Sequence, residues 1–515
     1  MPSLDLGKLN KILKGQRGEK DLITALRKVR AEYGYIPPEA IALMAKALKV
    51  AQSRVYSVAT FYDEFRPQPA ESPAKQKSKT MVNEQILTKK KRVVLGNIGG
   101  INPEDIDSYI SIGGYSALNK ALTSMSPEEV ARLIISSGLR ERDSGFPVGE
   151  RWLSLAEAPA EKKYVVGYAI DKEPGISINE FLLVGDPQCL VEGMMIAAYA
   201  VGASQCYLYI PSEFTLALKR VELALKQARE RGFLGSRPKS TTLSLNIEVR
   251  DGPRFPSCEP ELAVISFIEG NRARPGVIPP LPQNRGLWGK PTFVGSTETF
   301  YSIPWIIQKG ADAFSQYGTE DSRGTKVLAL GGELARTGIA EVPMGISLRQ
   351  LIFNIGGGIK PGHKFKAAHL GGPSGGCLPM ELLDTPLDYH SLAELGLDFG
   401  SGSVVVLGED ACLVDTAKFF INFTYEHYCG ACVPGRLGVK QMLDILTRIS
   451  QGQGREEDIQ RLEQVGSLMR ETSLCAMCRV ASNPVMTTLR YFGEEYKAHI
   501  QEKRCPAGVC PMSQA

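Results

Sequence analysis

Apolar residues recur at helical spacing in DLITALRKVRAEYG, where Leu22, Leu26, Val29 and Tyr33 share one face and Gly34 supplies a stop. Two prolines open PPEAIALMAKALKV as a second helix, and Ser53 caps a third short segment, SRVYSVATFYDEF. The stretch PQPAESPAKQKSKTMVNEQ has no apolar period and is rich in Pro, Lys, Ser and Gln. Residues 1–70 therefore read as a small helical unit and 71–90 as a linker.

From residue 91 strand and helix patterns alternate. KRVVLGNI, KYVVGYAI, QCYLYIP and TLSLNIEV read as strands. INPEDIDSYISIGGYSALNKAL, SPEEVARLIISSGL, DPQCLVEGMMIAAYAVGA and TLALKRVELALKQARERG read as helical. The second of these helices starts at a cap with acids in its first turn. Alternation over 91–325 predicts a layered α/β domain with ligand loops at strand ends. TKVLALGG, GIAEVPMG and SLRQLIFNIGGG then suggest a small mixed domain over 326–400, short strands around one helix. Beyond SVVVLGE the pattern turns helical, which predicts a bundle over 401–500 and a tail over 501–515. Phe419, Phe420, Phe423 and Tyr425 read as bundle core.

Composition narrows the class. The chain has 515 residues, 43% hydrophobic and 23% charged, as expected of a soluble protein of several domains. A net charge of +4 spread over this length does not point to nucleic acid or a membrane surface. The start, MPSLDLGKLNKI, lacks the apolar run of a secretory signal, and MMIAAYAVGA is too short to span a bilayer. A cytoplasmic protein without membrane insertion is expected.

Eleven cysteines carry the candidate chemistry. Cys189, Cys206, Cys377 and Cys412 have apolar neighbours and read as small buried hydrophobes. Cys429 and Cys432 form a C-x2-C pair, and Cys475 and Cys478 repeat it in SLCAMC after about forty residues. Without an export signal, metal ligation is the better reading than disulfides. Two such pairs bridged by a helical hairpin supply a complete tetrathiolate set. At this level an iron–sulfur cluster and structural zinc share one grammar. Cys505 and Cys510, in KRCPAGVCP, fit a fragment of a second site, a redox pair or a flexible tail, and are not counted as ligands.

Longer wording adds a resemblance. LGGPSGGCLP, LLDTPLDYHSLAELGLDFGSGSVVVLGEDACLVDTAKFFINFT, GLWGKPTFV and LRYFGEEYKAHI resemble the flavin- and NADH-binding subunit of respiratory complex I. Related subunits serve NAD(P)-linked hydrogenases and formate dehydrogenases. GYIPPEAIALMAKALKV and SVATFY resemble the helical start of the thioredoxin-like [2Fe–2S] partner subunit. The resemblance implies a Rossmann-like domain, then a ubiquitin-like β-grasp domain, then a helical bundle with one [4Fe–4S] cluster, all within an oxidoreductase complex. It assigns Cys429, Cys432 and Cys475 as cluster ligands. The fourth family position is Gly435, and the family has glycine where this chain has Cys478, so Cys478 is the expected fourth ligand.

The loops that meet FMN and NADH in such subunits depart from the pattern. LRERDSGFPVGERW is short and acidic, with Asp143 where small residues approach a phosphate and Arg151 where lysine is usual. GYAIDKEPG keeps Asp171, Glu173, Pro174 and Gly175 but has Tyr168 and Ile170 where Asn and Asp are expected. Gly295 and Ser296 replace two asparagines. In DGPRFPSCEPELAV, Pro260 takes one Glu position and Glu261 keeps the other. The expected protein is an iron–sulfur electron-transfer and assembly subunit of a cytoplasmic oxidoreductase complex that lacks FMN and NAD(P)H chemistry. The alternatives are an active FMN-containing NAD(P)H dehydrogenase subunit and a non-redox structural subunit with zinc.

Overall fold

The computed structural model describes residues 6–14, 22–33, 36–50, 55, 88 and 92–512, apart from 172, 174–176, 237–243, 254–259, 272, 274, 275 and 277. Nearly all of the expected linker and of SRVYSVATFYDEF lies outside the described residues, as do Pro174 and Gly175. The chain is multidomain α/β, in the order expected.

The N-terminal unit contains α1 (Leu6–Leu13), α2 (Leu22–Tyr33) and α3 (Pro38–Leu48). Leu9, Leu22, Leu26, Val29, Ile41 and Met44 form its buried core. Phe419, from the distant bundle, packs against that core and ties the unit to the C-terminal part.

The first sheet is built from β1 (Tyr164–Tyr168), β2 (Gln205–Pro211), β3 (Gly235–Ser236), β4 (Ser244–Gly252) and β5 (Thr292–Ser296). Its order is β3-β4-β2-β1-β5, with β4, β2, β1 and β5 all parallel. The helices around it include α4 (Pro127–Ser137), α5 (Val148–Glu157), α6 (Ile178–Gly185), α7 (Pro187–Val201), α8 (Thr215–Glu230), α9 (Pro260–Ile268) and α10 (Thr297–Lys309). The predicted capping box starts α4: Ser126 Oγ accepts from Glu129 N–H, and the Glu129 side chain accepts from Ser126 N–H. β1, β2 and β5 are buried along nearly their whole length, as a sheet covered on both faces requires. α6 and α7 meet at 97°, and nearly every residue of both is buried. Among the described residues no single helix is long and apolar enough to cross a membrane.

One predicted strand is absent among the described residues. KRVVLGNI adds no strand, because its backbone is spent elsewhere: the N–H groups of Val93, Val94 and Leu95 all donate to the buried Glu341 carboxylate, at 2.7, 2.9 and 2.8 Å. Three consecutive N–H groups converging on one anion form a nest, whereas a strand alternates their direction. INPEDIDSYISIGGYSALNKAL is likewise two helices, Ile106–Ser111 and Ser116–Ser124, broken at the glycines.

The second sheet, β7-β6-β10-β8-β9, uses β6 (Thr325–Gly332), β7 (Gly338–Pro343), β8 (Phe365–Leu370), β9 (Gly376–Leu378) and β10 (Ser403–Gly408). Its central pair β6 and β10 is parallel and the outer pairings are antiparallel, the arrangement of a β-grasp domain. The bundle follows as α11 (Leu413–His427), α12 (Val433–Ser450), α13 (Glu457–Thr472), α14 (Ala476–Val480) and α15 (Asn483–Ile500). Of the four aromatics expected in its core, Phe420 is buried. Phe419 faces the N-terminal unit, Phe423 lies against His427, and Tyr425 is exposed and stacks on Tyr428.

His369 on β8 joins sheet to bundle. Its ring stacks on Phe420 at 3.9 Å, Nε2–H donates to Gly372 O at 3.0 Å, and Nδ1 lies 3.3 Å from Cys377 Sγ. Burial pushes its pKa down to about 4, against a weaker upward pull from the Gly372 carbonyl. The unfolded chain takes up this proton near pH 6.5 and the folded chain only near 4. Stability from His369 is therefore complete above about 6.5 and is lost as pH falls toward 4, by about 3 kcal/mol. Thermal unfolding across that window is expected to show a shallower acid decline in His369→Gln than in wild type. The comparison cancels acid effects common to both proteins.

Candidate metal centre and ligand loops

The turn from α11 to α12 and the start of α14 face one another, and each carries a C-x2-C pair. In the first, Gly430 takes φ 65°, which folds the chain back between Cys429 and Cys432. The backbone N–H groups of Ala431 and Cys478 favour the thiolates of Cys429 and Cys475, pulling against their upward shifts. The thiols of Cys429 and Cys475, and those of Cys475 and Cys478, lie close enough to shift one another's protonation. Cys432, Cys475 and Cys478 are buried together with Met477, and Cys429 is half-buried. The neighbouring Cys475 thiol, then burial, holds the Cys429 thiol well above its usual range. Cys475 is drawn down by Cys429 but raised by Cys478 and by burial, ending at about 12. Crowded thiols of this kind release their protons when a metal replaces them.

Gly435 lies in the first turns of α12, directly above these sulfurs. A Cβ placed on it would lie 2.4 Å from Cys478 Sγ and 3.0 Å from Cys432 Sγ. The sulfur of Cys478 thus occupies the space that a side chain at 435 would enter. Around the centre, Val433, Leu437 and Leu474 are each more than half exposed.

The remaining cysteines divide differently from expectation. Cys189, Cys206 and Cys377 are buried, as expected from their neighbours. Cys412, Cys505 and Cys510 converge with His499, with all four donor atoms within 4.8 Å of one another. Cys412 is therefore more than a buried hydrophobe, and Cys505 and Cys510 are more than a loose tail. The available signal is His499 placed six and eleven residues before two cysteines.

At the strand ends of the first sheet, the loop between α4 and α5 turns inward. Glu141 is buried, and its carboxylate accepts from Ser296 N at 2.9 Å, Asp143 N at 3.0 Å, Ser144 N at 2.6 Å and Ser144 Oγ at 2.5 Å. Thr299 Oγ1 and Tyr168 OH approach it at 3.2 and 3.4 Å. Asp143 is buried 3.9 Å from Lys326 Nζ, which also meets Glu298 at 2.5 Å. Arg151 lies over the Phe146 ring and pairs with Glu261 at 3.1 Å. Glu173 reaches the second sheet, accepting from Ser401 N at 2.7 Å and Ser403 N at 2.9 Å. Asp171 accepts from Asn179 Nδ2 at 2.9 Å. Buried Arg142 donates to Arg323 O at 3.0 Å, while its Nε and Nη1 and Arg151 Nη2 have no hydrogen-bond partner among the described residues.

Three family models match the chain: the NADH-ubiquinone oxidoreductase-F iron–sulfur binding region over 415–499, the Nuo51 FMN-binding domain over 134–305, and the thioredoxin-like [2Fe–2S] ferredoxin over 9–82. NADP-reducing hydrogenase subunit HndC of Solidesulfovibrio fructosivorans is 44% identical over 423 residues, covering 82% of this chain and 86% of its own length. The F 2 subunit of NADH-quinone oxidoreductase in Rhizobium meliloti is 35% identical, covering 80% and 99%. This chain belongs to the NADH-quinone oxidoreductase F-subunit family. A chain of NAD+-reducing [NiFe]-hydrogenase shares the fold, with a TM-score of 0.71 at 22% identity and 94% coverage of both chains.

Membership sharpens two features of this F-type chain. The thioredoxin-like match ends before the first cysteine of the sequence, Cys189, so that segment brings no thiolate of its own. The FMN-domain match includes the loop in which Glu141, Arg142 and Asp143 are buried. The sequence draws attention to Asp143, yet Glu141 carries most of the hydrogen bonds. Nothing in LRERDSG ranks one acid above the other until Ser296 and Thr299 arrive from across the sheet.

Proposed function

We propose that this chain is an electron-transfer and assembly subunit of a multi-subunit cytoplasmic oxidoreductase. It holds one [4Fe–4S] cluster on Cys429, Cys432, Cys475 and Cys478 and has given up FMN. The observation that carries the cluster assignment is the position of Cys478 Sγ, 2.4 Å from where a Cβ on Gly435 would be. The thiolate has moved to a different backbone while keeping its place. When bound, the cluster supplies one-electron transfer. The two turns supply four thiolates, N–H groups that offset their charge, and a mostly buried setting.

The loss of FMN is supported by what fills the loops. Glu141 satisfies the backbone of Ser296, Asp143 and Ser144, and Glu261 is paired with Arg151. Glu173 is committed to Ser401 and Ser403. Acids that would face a flavin or nicotinamide bind the protein itself, and Glu141 and Asp143 put negative charge where a phosphate would come. The exposed Val433, Leu437 and Leu474 form an apolar rim beside the cluster ligands, suited to another electron-carrying member of the complex. The N-terminal unit, anchored on Phe419 of α11, serves as a second docking element.

A working FMN subunit is the second reading, favoured by the unpartnered guanidinium N–H groups of Arg142 and Arg151, which suit an anionic ligand. Anaerobic purification separates the two. The expected result is about four irons and four acid-labile sulfides per chain, with less than about a tenth of an FMN released on denaturation. About one FMN per chain establishes the second reading, and zinc in place of iron at the four cysteines overturns both.

A further inference from the structure

The second donor cluster lies at the other end of the same helix pair. α11 runs from Cys412 to the Cys429 turn, and α15 runs back from the Cys478 side to His499. The two groups are separated by the 15 residues of α11, about 22 Å at helical rise. Cys412 Sγ is 3.5 Å from His499 Nε2 and 3.5 Å from Cys510 Sγ, and His499 Nε2 is 3.4 Å from Cys510 Sγ. Cys505 completes the group.

We infer that Cys412, His499, Cys505 and Cys510 form a structural zinc site that fastens the C-terminal segment to the bundle. The distances match one ion rather than a cluster. Zn–S near 2.3 Å and Zn–N near 2.0–2.1 Å give tetrahedral edges of about 3.8 Å between sulfurs and about 3.5 Å from sulfur to nitrogen. A cubane carries a separate iron at each ligand and spreads its thiolates further apart.

The surroundings are those of a closed site. His499 Nδ1 lies 2.7 Å from Glu495 O, an arrangement in which Nδ1–H donates to the carbonyl and leaves Nε2 as a lone pair aimed at the sulfurs. Cys412 caps α11 and accepts from Asp415 N at 3.5 Å, which favours the thiolate. The Glu495 carboxylate accepts from Leu413 N at 3.0 Å and pairs with Lys366 at 2.7 Å, so both helix ends are held. Three thiolates and a neutral imidazole fill a tetrahedron and leave no position for substrate, the mark of a structural zinc. Residues 501–512 contain no helix or strand. A metal adds to the attachment that Ala507 and Val509 make by packing against the bundle core.

The test uses the full chain, purified anaerobically. Elemental analysis is expected to give about one zinc per chain beside the iron. Cys510→Ser and His499→Ala are expected to lower zinc at least tenfold while iron is retained, and Cys478→Ala to lower iron while zinc is retained. Zinc-edge X-ray absorption on the wild type needs no variant to fold, and three sulfurs with one nitrogen are expected. Four sulfurs would place the zinc at Cys429, Cys432, Cys475 and Cys478, and overturn the assignment. So would wild type free of zinc, or a Cys412–Cys510 disulfide found by alkylation and mass spectrometry.

Discussion

Replacing Cys478 with alanine is expected to reduce the iron content of the chain from about four per molecule to below one and to abolish the cluster's visible absorbance. Three thiolates, from Cys429, Cys432 and Cys475, remain, and an exposed fourth iron makes the cluster labile. The sharper experiment is a swap. Gly435→Cys alone drives a Cβ to within 2.4 Å of Cys478 Sγ and 3.0 Å of Cys432 Sγ, so it is expected to disturb the centre rather than reinforce it. Gly435→Cys combined with Cys478→Gly removes both contacts with Cys478, leaves only the 3.0 Å approach to the Cys432 sulfur, and restores the ligand distribution that the family resemblance implies. Iron and the spectrum are expected to return in the double variant. If Cys478→Ala keeps full iron, the fourth ligand is another group and the proposed exchange is wrong.

Glu141→Ala is expected to lower the unfolding temperature by on the order of 10 °C without raising flavin content. The carboxylate serves the N–H groups of Ser296, Asp143 and Ser144 and lies beside buried Arg142. Its removal leaves several buried donors unsatisfied, a loss of about 3–5 kcal/mol for a broken buried charged network. For domains of 150–250 residues each kcal/mol shifts the midpoint by about 2–4 °C. The alternative has an opposite signature. If the loop opens to admit FMN, Glu141 is already displaced in the working protein. Wild type then carries about one FMN per chain, and Glu141→Ala changes stability little. Differential scanning calorimetry and fluorescence of the released flavin decide between the two.

Most of the scaffold is legible in the chain before it folds. Period-two and period-3.6 patterns place β1, β2, β4, β6 and β7 and the helices of the bundle, because each buries one face or both and must repeat accordingly. Capping chemistry places the start of α4, since Ser126 and Glu129 satisfy backbone groups three residues apart. The paired C-x2-C turns are also legible, because a turn fixes the spacing of its own ligands. KRVVLGNI misleads for the complementary reason: its apolar run is strand-like, but a carboxylate 246 to 248 residues away captures its N–H groups.

Folding in three dimensions settles which local pieces share a point in space. Local periodicity has no term for Cys478 Sγ filling the volume above Gly435, for Glu141 meeting Ser296, or for Cys412 meeting His499 and Cys510. Those contacts depend on the packing of α11 against α12 and α15 and on the order of the parallel strands. Side chains distant in sequence meet because the elements bearing them bury their apolar faces together, and the chemistry of the site follows from that burial.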